Sequence, residues 1–104
     1  MRFRSIPQSQ WREALERLVR EHRDWPATVD RGGRVKVRDA PLRSVEVGED
    51  VELCFAQSVV RVDAPRALRI EETQDGTAEA FQLYDRTGDT VTLRFRLSER
   101  PAHG

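Results

Sequence analysis

The residues at the end of a predicted helix are the first candidates for a binding site. His22, Arg23 and Trp25 place a titratable ring, a guanidinium group and a large aromatic surface close together in the chain. If the sheet that follows leaves a gap beside the helix, these side chains line its rim, where a ligand or partner would bind. His22 also falls on the apolar stripe of the helix, so the simpler role for it is a half-buried ring hydrogen-bonded to backbone or carboxylate.

A second candidate is a basic stripe formed by Arg34, Lys36 and Arg38, which alternate along a predicted strand. A basic stripe on a sheet can hold the phosphate backbone of a single-stranded nucleic acid. Proteins of that kind also present aromatic rings on the same face, and here Tyr84 is the main aromatic residue outside the inward phase. The alternative is that the stripe is solvated and paired with carboxylates on neighbouring strands.

The sequence gives little indication of catalysis. Cys54 lies between Leu53 and Phe55 and alternates out of phase with both, and no sequence signal supplies a base or a lowered pKa, so it is read as a small strand residue. No group of His, Cys and carboxylate residues has metal-ligand spacing, and the glycine pair Gly32-Gly33 precedes no helix. We predict no catalytic residue, no metal and no cofactor, with an enzyme site at the helix-end rim kept as an alternative.

Composition limits the possible classes of protein. The 104 residues carry 18 basic and 18 acidic side chains, giving a formal net charge of zero, which disfavours strong, sequence-independent nucleic-acid binding. Mean hydropathy is −0.69, and no apolar run approaches the roughly 20 residues of a membrane span. One cysteine forms no internal disulfide. We therefore expect one soluble cytoplasmic domain over 1–104 with no membrane association.

Residues 8–23 predict the only helix. Apolar residues recur at spacings of three and four, and charged residues fill the positions between them. The stripe contains Trp11, Ala14, Leu15, Leu18, Val19 and His22. This pattern indicates a helix that lies on a core with one face in solvent.

From Trp25 onward the apolar period changes to two, which predicts about eight antiparallel strands over residues 26–97 and a frayed tail over 98–104. Opposed residues of a hairpin face the same side, so the apolar phase predicts the turns. If Val29 opposes Val35, the loop is 31–33. If Ile70 opposes Phe81, the loop is the pair 75–76. If Leu83 opposes Val91, the loop is 86–88, and each of these loops contains a glycine suited to positive φ.

The same register makes a prediction for the other face of the sheet. Ala80 should lie between Glu71 and Arg94 on adjacent strands. Because alanine is small, the two long side chains can reach over it and pair.

These elements predict an α+β fold. One N-terminal amphipathic helix packs on a curved, mostly antiparallel β-meander. The apolar stripe of one helix is too narrow to cover eight flat strands, so we expect the sheet to curl over the helix or to close partly into a barrel.

Several short motifs resemble an uncharacterised bacterial family of short proteins, known only as a domain of unknown function. They are Ile6-Pro7, Trp11, His22-Arg23-Asp24-Trp25, Arg38-Asp39-Ala40-Pro41-Leu42, Asp75-Gly76 and Leu93-Arg94-Phe95. The resemblance covers nearly the whole chain, and the family usually has glycine at the position of Asp24. It implies an α+β architecture of this length and no assigned activity.

Three functions follow as hypotheses. The first is a non-enzymatic binding or protein-interaction module, with a protein partner or a second copy of the chain bound through an edge strand. The second is single-stranded nucleic-acid binding through Arg34, Lys36 and Arg38, which is possible but not favoured. The third is a small-ligand or enzyme site at the rim formed by His22, Arg23 and Trp25.

Overall fold

The computed structural model describes residues 2–96, which form one helix and nine strands. The elements in chain order are β1 (Arg2–Ser5), a 3-10 turn (Gln8–Gln10), α1 (Trp11–Glu21), β2 (Pro26–Arg31), β3 (Arg34–Pro41), β4 (Ser44–Val47), β5 (Val51–Cys54), β6 (Val59–Val62), β7 (Ala67–Glu72), β8 (Ala78–Tyr84) and β9 (Thr90–Phe95). The α+β class is confirmed. The predicted extension of the last strand to Leu97 and the predicted frayed tail over 98–104 lie outside the described residues.

The strands form two antiparallel sheets rather than one meander. The larger sheet has the order β1-β7-β8-β9-β2-β3, and the smaller has the order β4-β5-β6. Among the described strands, β1 and β3 are therefore the outer strands of the larger sheet, and no closed barrel forms. Partial closure stays a prediction.

Strand β1 is absent from the sequence prediction, which began the sheet at residue 26. All four of its residues are exposed, and Phe3 is the only apolar one, so the strand is too short in apolar residues for alternation to reveal it. Its place is fixed by pairing with β7, where Arg2 lies opposite Glu72 and Arg4 opposite Ile70. A polar strand of this kind is visible only once its partner is known.

Helix α1 is shorter than the predicted span 8–23. Residues 8–10 form a tighter 3-10 turn, and His22 follows the last helical residue with its N–H donating to the carbonyl of Leu18 at 3.0 Å. Trp11 is 4% exposed, and its indole Nε1 donates to the carbonyl of Ile6 at 2.8 Å. The apolar stripe therefore faces the core, as its spacing predicts.

One hydrophobic cluster unites the helix and both sheets. Its completely buried members, each with no exposed surface, include Leu15 from α1, Leu53 and Val62 from the smaller sheet, and Phe81 and Leu93 from the larger sheet. Because strands of both sheets and the helix contribute, neither sheet has a separate core. The helix and the two sheets therefore pack around a single hydrophobic core.

Of the three turn predictions, one is confirmed in full. Leu83 lies opposite Val91, the loop is 86–88, and Gly88 has φ +95°. The carboxylate of Asp85 stabilises this loop by accepting hydrogen bonds from the backbone N–H groups of Thr87 and Asp89 at 2.9 and 3.0 Å.

The second turn is right in register and wrong in loop length. Ile70 lies opposite Phe81 as predicted, but Thr73 donates its N–H to the carbonyl of Thr77, so the loop spans 74–76 rather than 75–76. A register shift beside Glu71 and Glu72 absorbs the additional residue. A bulge of this kind allows the loop to gain one residue while Ile70 and Phe81 stay paired and buried.

The third turn prediction is wrong. Val29 lies opposite Val37 rather than Val35, and the loop is the pair Gly32-Gly33, with φ values of +57° and +88°. Two adjacent glycines allow a two-residue turn with positive φ at both positions. The register then shifts along β3, which leaves Val35 46% exposed and buries Val37.

Candidate functional site

A groove of about 500 Å³ lies between the helix and the β7–β8 turn. Its helical wall contains Gln10, Glu13, Ala14, Arg17, Leu18 and Glu21, and the facing wall contains Arg4, Glu72, Asp75, Gly76 and Thr77. Ile6, Ile70, Ala78, His22 and Trp25 complete its lining. The groove is therefore the gap beside the helix that the sequence analysis considered.

The apolar part of the groove belongs to the edge of the core. Ile6, Leu18 and Ile70 are at most 6% exposed, so they support the groove from beneath and present little surface to it. Ala14, Trp25 and Ala78 are half-buried and pack against that cluster. An occupant could therefore bury apolar surface of Ala14, Trp25 and Ala78, since the core residues beneath them are already covered.

His22 holds the end of the helix against strand β8. It is 4% exposed, with Nδ1 at 2.9 Å from the carbonyl oxygen of Leu18 and Nε2 at 2.8 Å from that of Ala78. Its ring stacks on Phe95 at 4.1 Å between centroids and meets Trp25 edge-on at 4.8 Å.

These contacts limit what His22 can do chemically. A neutral imidazole has one N–H and donates to one of the two carbonyls, whereas a protonated ring donates to both. In either form each ring nitrogen is already directed at a backbone oxygen. His22 therefore fits a positioning role at the groove, and the simpler of the two roles considered from its sequence position agrees with this geometry.

The three predicted rim residues do not occupy one surface. His22 and Trp25 line the groove, whereas Arg23 is exposed and is not part of its lining. Asp24, between Arg23 and Trp25, has φ +70° and so takes the left-handed conformation that favours glycine. The chain turns there, and the N–H of Trp25 donates to the carbonyl of His22 at 3.0 Å.

The groove carries more negative than positive charge. Four carboxylates and two guanidinium groups line it. Arg4 is directed at Glu72 with a separation of 3.3 Å. The pKa of Asp75 lies below its ordinary value because the Thr73 hydroxyl and the Thr77 groups donate hydrogen bonds to its carboxylate. Asp75 is therefore ionised at neutral pH and adds to the negative wall.

Sequence reasoning missed the charged walls of the groove. Glu13, Arg17 and Glu21 were read as the solvated face of the helix, although their spacing of four places them in one line beside the apolar stripe. This alignment is the sequence signal from which the helical wall of the groove could have been predicted. The opposite wall depends on β1 and on residues 73–77, which connect β7 to β8. No local sequence pattern predicts the position of either segment.

The basic residues of the predicted stripe lie on β3, an outer strand of the larger sheet. Arg34, Lys36 and Arg38 are all exposed. The register with β2 shifts on both sides of Val37, so the regular alternation assumed for the stripe is interrupted at Lys36. Tyr84 lies on β8, which β9 and β2 separate from β3, so this ring is not beside the stripe.

A second depression of about 400 Å³ lies over β2, β8 and β9, and most of the residues that line it are polar. Thr28, Thr92, Arg94 and Arg96 contribute to it. Arg94 is bound by Glu71, and Arg96 lies 3.3 Å from Asp39. Both guanidinium groups already have carboxylate partners. This surface should therefore bind an anion more weakly than a surface with an unpaired arginine.

The Glu71–Arg94 pair is the prediction for the open face of the sheet, and it is confirmed. Ala80 lies opposite both residues, and the two guanidinium nitrogens donate to the two Glu71 oxygens at 3.0 Å each. These hydrogen bonds lower the pKa of Glu71 and outweigh the opposing effect of burial. The pair bridges strands β7 and β9 over the small side chain.

Neither a metal centre nor a membrane-spanning helix occurs in the part of the chain that the structure describes. Within residues 2–96, no three His, Cys, Asp or Glu side chains converge as metal ligands would. Cys54 is half-buried, and its Sγ lies 3.9 Å from the carbonyl of Glu52. None of the helices found over the same residues has the length and apolar character to cross a membrane.

Comparison with known proteins adds no relative. No protein-family model, no curated protein and no solved structure matches the chain.

Proposed function

We propose that this protein is a non-enzymatic binding module that holds a segment of a protein partner in the groove between α1 and the β7–β8 turn. The observation that carries the proposal is an open groove of about 500 Å³ with charged walls, in which the half-buried Ala14, Trp25 and Ala78 pack against the core. A groove of this size fits the usual range for binding sites in proteins. The resemblance to an uncharacterised family assigns no activity and does not conflict with it.

The shape of the site supports a peptide segment over a small molecule. Helix α1 forms one wall along most of its length, from Glu13 to Glu21, and the site is open to solvent above the floor. Recognition in a groove beside a helix typically depends on a few apolar anchors with polar contacts at the rim. The half-buried Ala14, Trp25 and Ala78 can contact such anchors, and the charged side chains stand at the rim.

Selection of peptides on the intact chain tests the proposal. A random peptide library is selected against the wild type, and binding of the recovered peptides is then measured by calorimetry. Ala14→Phe fills the groove from the helical wall, whereas Val19→Phe adds the same ring at a half-buried position of the helix outside the groove lining. Both variants are first checked for cooperative unfolding.

We expect the recovered peptides to bind wild type and Val19→Phe similarly and Ala14→Phe at least about tenfold more weakly, since the added ring occupies the site. Amide resonances of residues 75–78 should shift on binding. Recovery of no peptide, equal binding to Ala14→Phe, or resonance shifts confined to β3 would contradict the proposal.

Nucleic-acid binding through β3 is the second candidate. It is favoured by one observation: within the described residues, Arg34, Lys36 and Arg38 are exposed and take part in no ion pair, whereas Arg4, Arg61, Arg94 and Arg96 each lie beside a carboxylate. Unpaired basic side chains are available to phosphate groups. A salt-dependent mobility shift with single-stranded RNA, lost on alanine substitution of all three residues, would support this function, and no binding at low salt would eliminate it.

A further inference from the structure

The charges around the groove indicate what kind of segment it accepts. Glu13 and Glu21 are exposed along the helical wall, and the exposed Asp75 belongs to the opposite wall. Arg17 stands between the two helical glutamates and neutralises part of this charge. Arg4 does not add to the positive side, because it is directed at Glu72. The walls therefore present a surplus of carboxylate above an apolar floor.

An occupant must complement both features. Apolar side chains would contact the half-buried Ala14 and Ala78 on the floor, and cationic side chains would meet Glu13 and Glu21 at the rim. Trp25 is half-buried at the end of the groove, and its ring offers a further contact for a cation. Acidic segments would place like charges next to three carboxylates, which is unfavourable.

We propose, building on the proposed function, that the partner segment alternates apolar residues with arginine or lysine. Its apolar side chains fill the floor, and its cationic side chains pair with Glu13, Glu21 and Asp75. The pairing is made at an exposed rim, so it determines the choice of partner and the rate of association more than the total affinity.

Three synthetic peptides of equal length test the inference on the intact chain. They alternate leucine with arginine, glutamine or glutamate, and their binding is measured by calorimetry with amide resonances to locate the site. We expect the arginine peptide to bind about tenfold more tightly than the glutamine peptide at low salt, and this advantage to shrink as salt is added. The glutamate peptide should bind most weakly.

Variants of the helical wall connect the effect to named carboxylates. Combining Glu13→Gln with Glu21→Gln should weaken the arginine peptide about threefold to tenfold and leave the glutamine peptide unchanged. Glu16→Gln, an exposed glutamate of the same helix outside the groove lining, is the matched control and should change neither. Arg17→Gln should strengthen the arginine peptide.

The outcomes separate this inference from the proposal on which it depends. If all three peptides bind equally with resonance shifts at residues 75–78, the groove is the binding site and the charge inference is wrong. If no peptide binds, or if the shifts lie outside the groove, the proposed function itself is contradicted. If the chain forms a dimer that the Glu13→Gln and Glu21→Gln pair disrupts, the occupant is a second copy rather than a separate partner.

Discussion

The Glu71–Arg94 pair gives the sharpest test of how this sheet is stabilised. The Glu71 side chain is only 3% exposed, while Arg94 is 51% exposed. The two partners therefore respond differently to removal. Arg94 can turn toward water when its partner is lost, whereas Glu71 cannot.

Magnitudes follow from that asymmetry. Glu71→Gln removes the charge but keeps the shape, and we expect it to lower the free energy of unfolding by about 1–2 kcal/mol. Arg94→Met leaves a buried carboxylate without its two donors and should cost more, about 2–3 kcal/mol, reduced from the cost of a fully buried pair because water can enter beside the exposed arginine. The coupling between the two sites should be about 1–2 kcal/mol.

The pKa of Glu71 determines how this coupling depends on pH. Arg94 holds the pKa of Glu71 below its ordinary value in the folded protein. A carboxylate of this kind stabilises the fold above its unfolded pKa of about 4.3, and the contribution is lost as pH falls through the lower, folded value. In Arg94→Met the buried Glu71 carboxylate has no cationic partner, so protonation of Glu71 stabilises the folded state of this variant. The difference between wild type and Arg94→Met should therefore shrink on acidification.

The assay is urea unfolding of wild type, both single variants and the double variant, near pH 7 and near pH 3. Glu72→Gln is the control, because Glu72 meets the exposed Arg4 and its loss should cost less than about 0.5 kcal/mol. A coupling below about 0.3 kcal/mol at neutral pH, or one that does not change with pH, would refute the reasoning.

Three further substitutions test the helix and its turns, each by chemical or thermal unfolding. Trp11→Phe removes the donor to the Ile6 carbonyl and should cost about 1–3 kcal/mol, and a change near zero would show that this bond does not matter. Asp24→Gly should stabilise by about 0.5–1 kcal/mol because Asp24 has positive φ, and destabilisation would contradict that strain. Gly88→Ala should lower the free energy of unfolding by about 1 kcal/mol, because Gly88 has φ +95°. Gly48→Ala is the control and should be nearly neutral, since its added Cβ meets only ordinary contacts. Equal effects of the two substitutions would exclude a conformational cause.

Part of the fold was readable from the sequence because its signals are local. The helix stripe, which includes Leu15 and Leu18, has its own period, and the Arg86-Thr87-Gly88 loop has its own chemistry. The pairing of Ile70 with Phe81, and of Glu71 with Arg94 over Ala80, also followed, since register in a sheet is set by which residues must be buried.

The errors in the turns originate in backbone irregularities. Bulges allow a strand to correct its register after an unexpected turn, so Val37 reaches the core although the Gly32-Gly33 turn differs from the prediction. The division into two sheets was missed for a different reason, because alternation shows that a strand exists but not which neighbour it pairs with. Strand β1 has no apolar alternation at all.

The candidate site likewise has one part that local sequence signals predict and another that depends on tertiary contacts. The sequence by itself determined that His22 and Trp25 stand at the end of an amphipathic helix, because covalent order and helical period decide that. Only the tertiary structure decided that β1 and the β7–β8 turn form a facing wall and that both ring nitrogens of His22 meet carbonyl oxygens. Those features depend on contacts between residues far apart in the chain, and no local periodicity encodes which distant segments will meet.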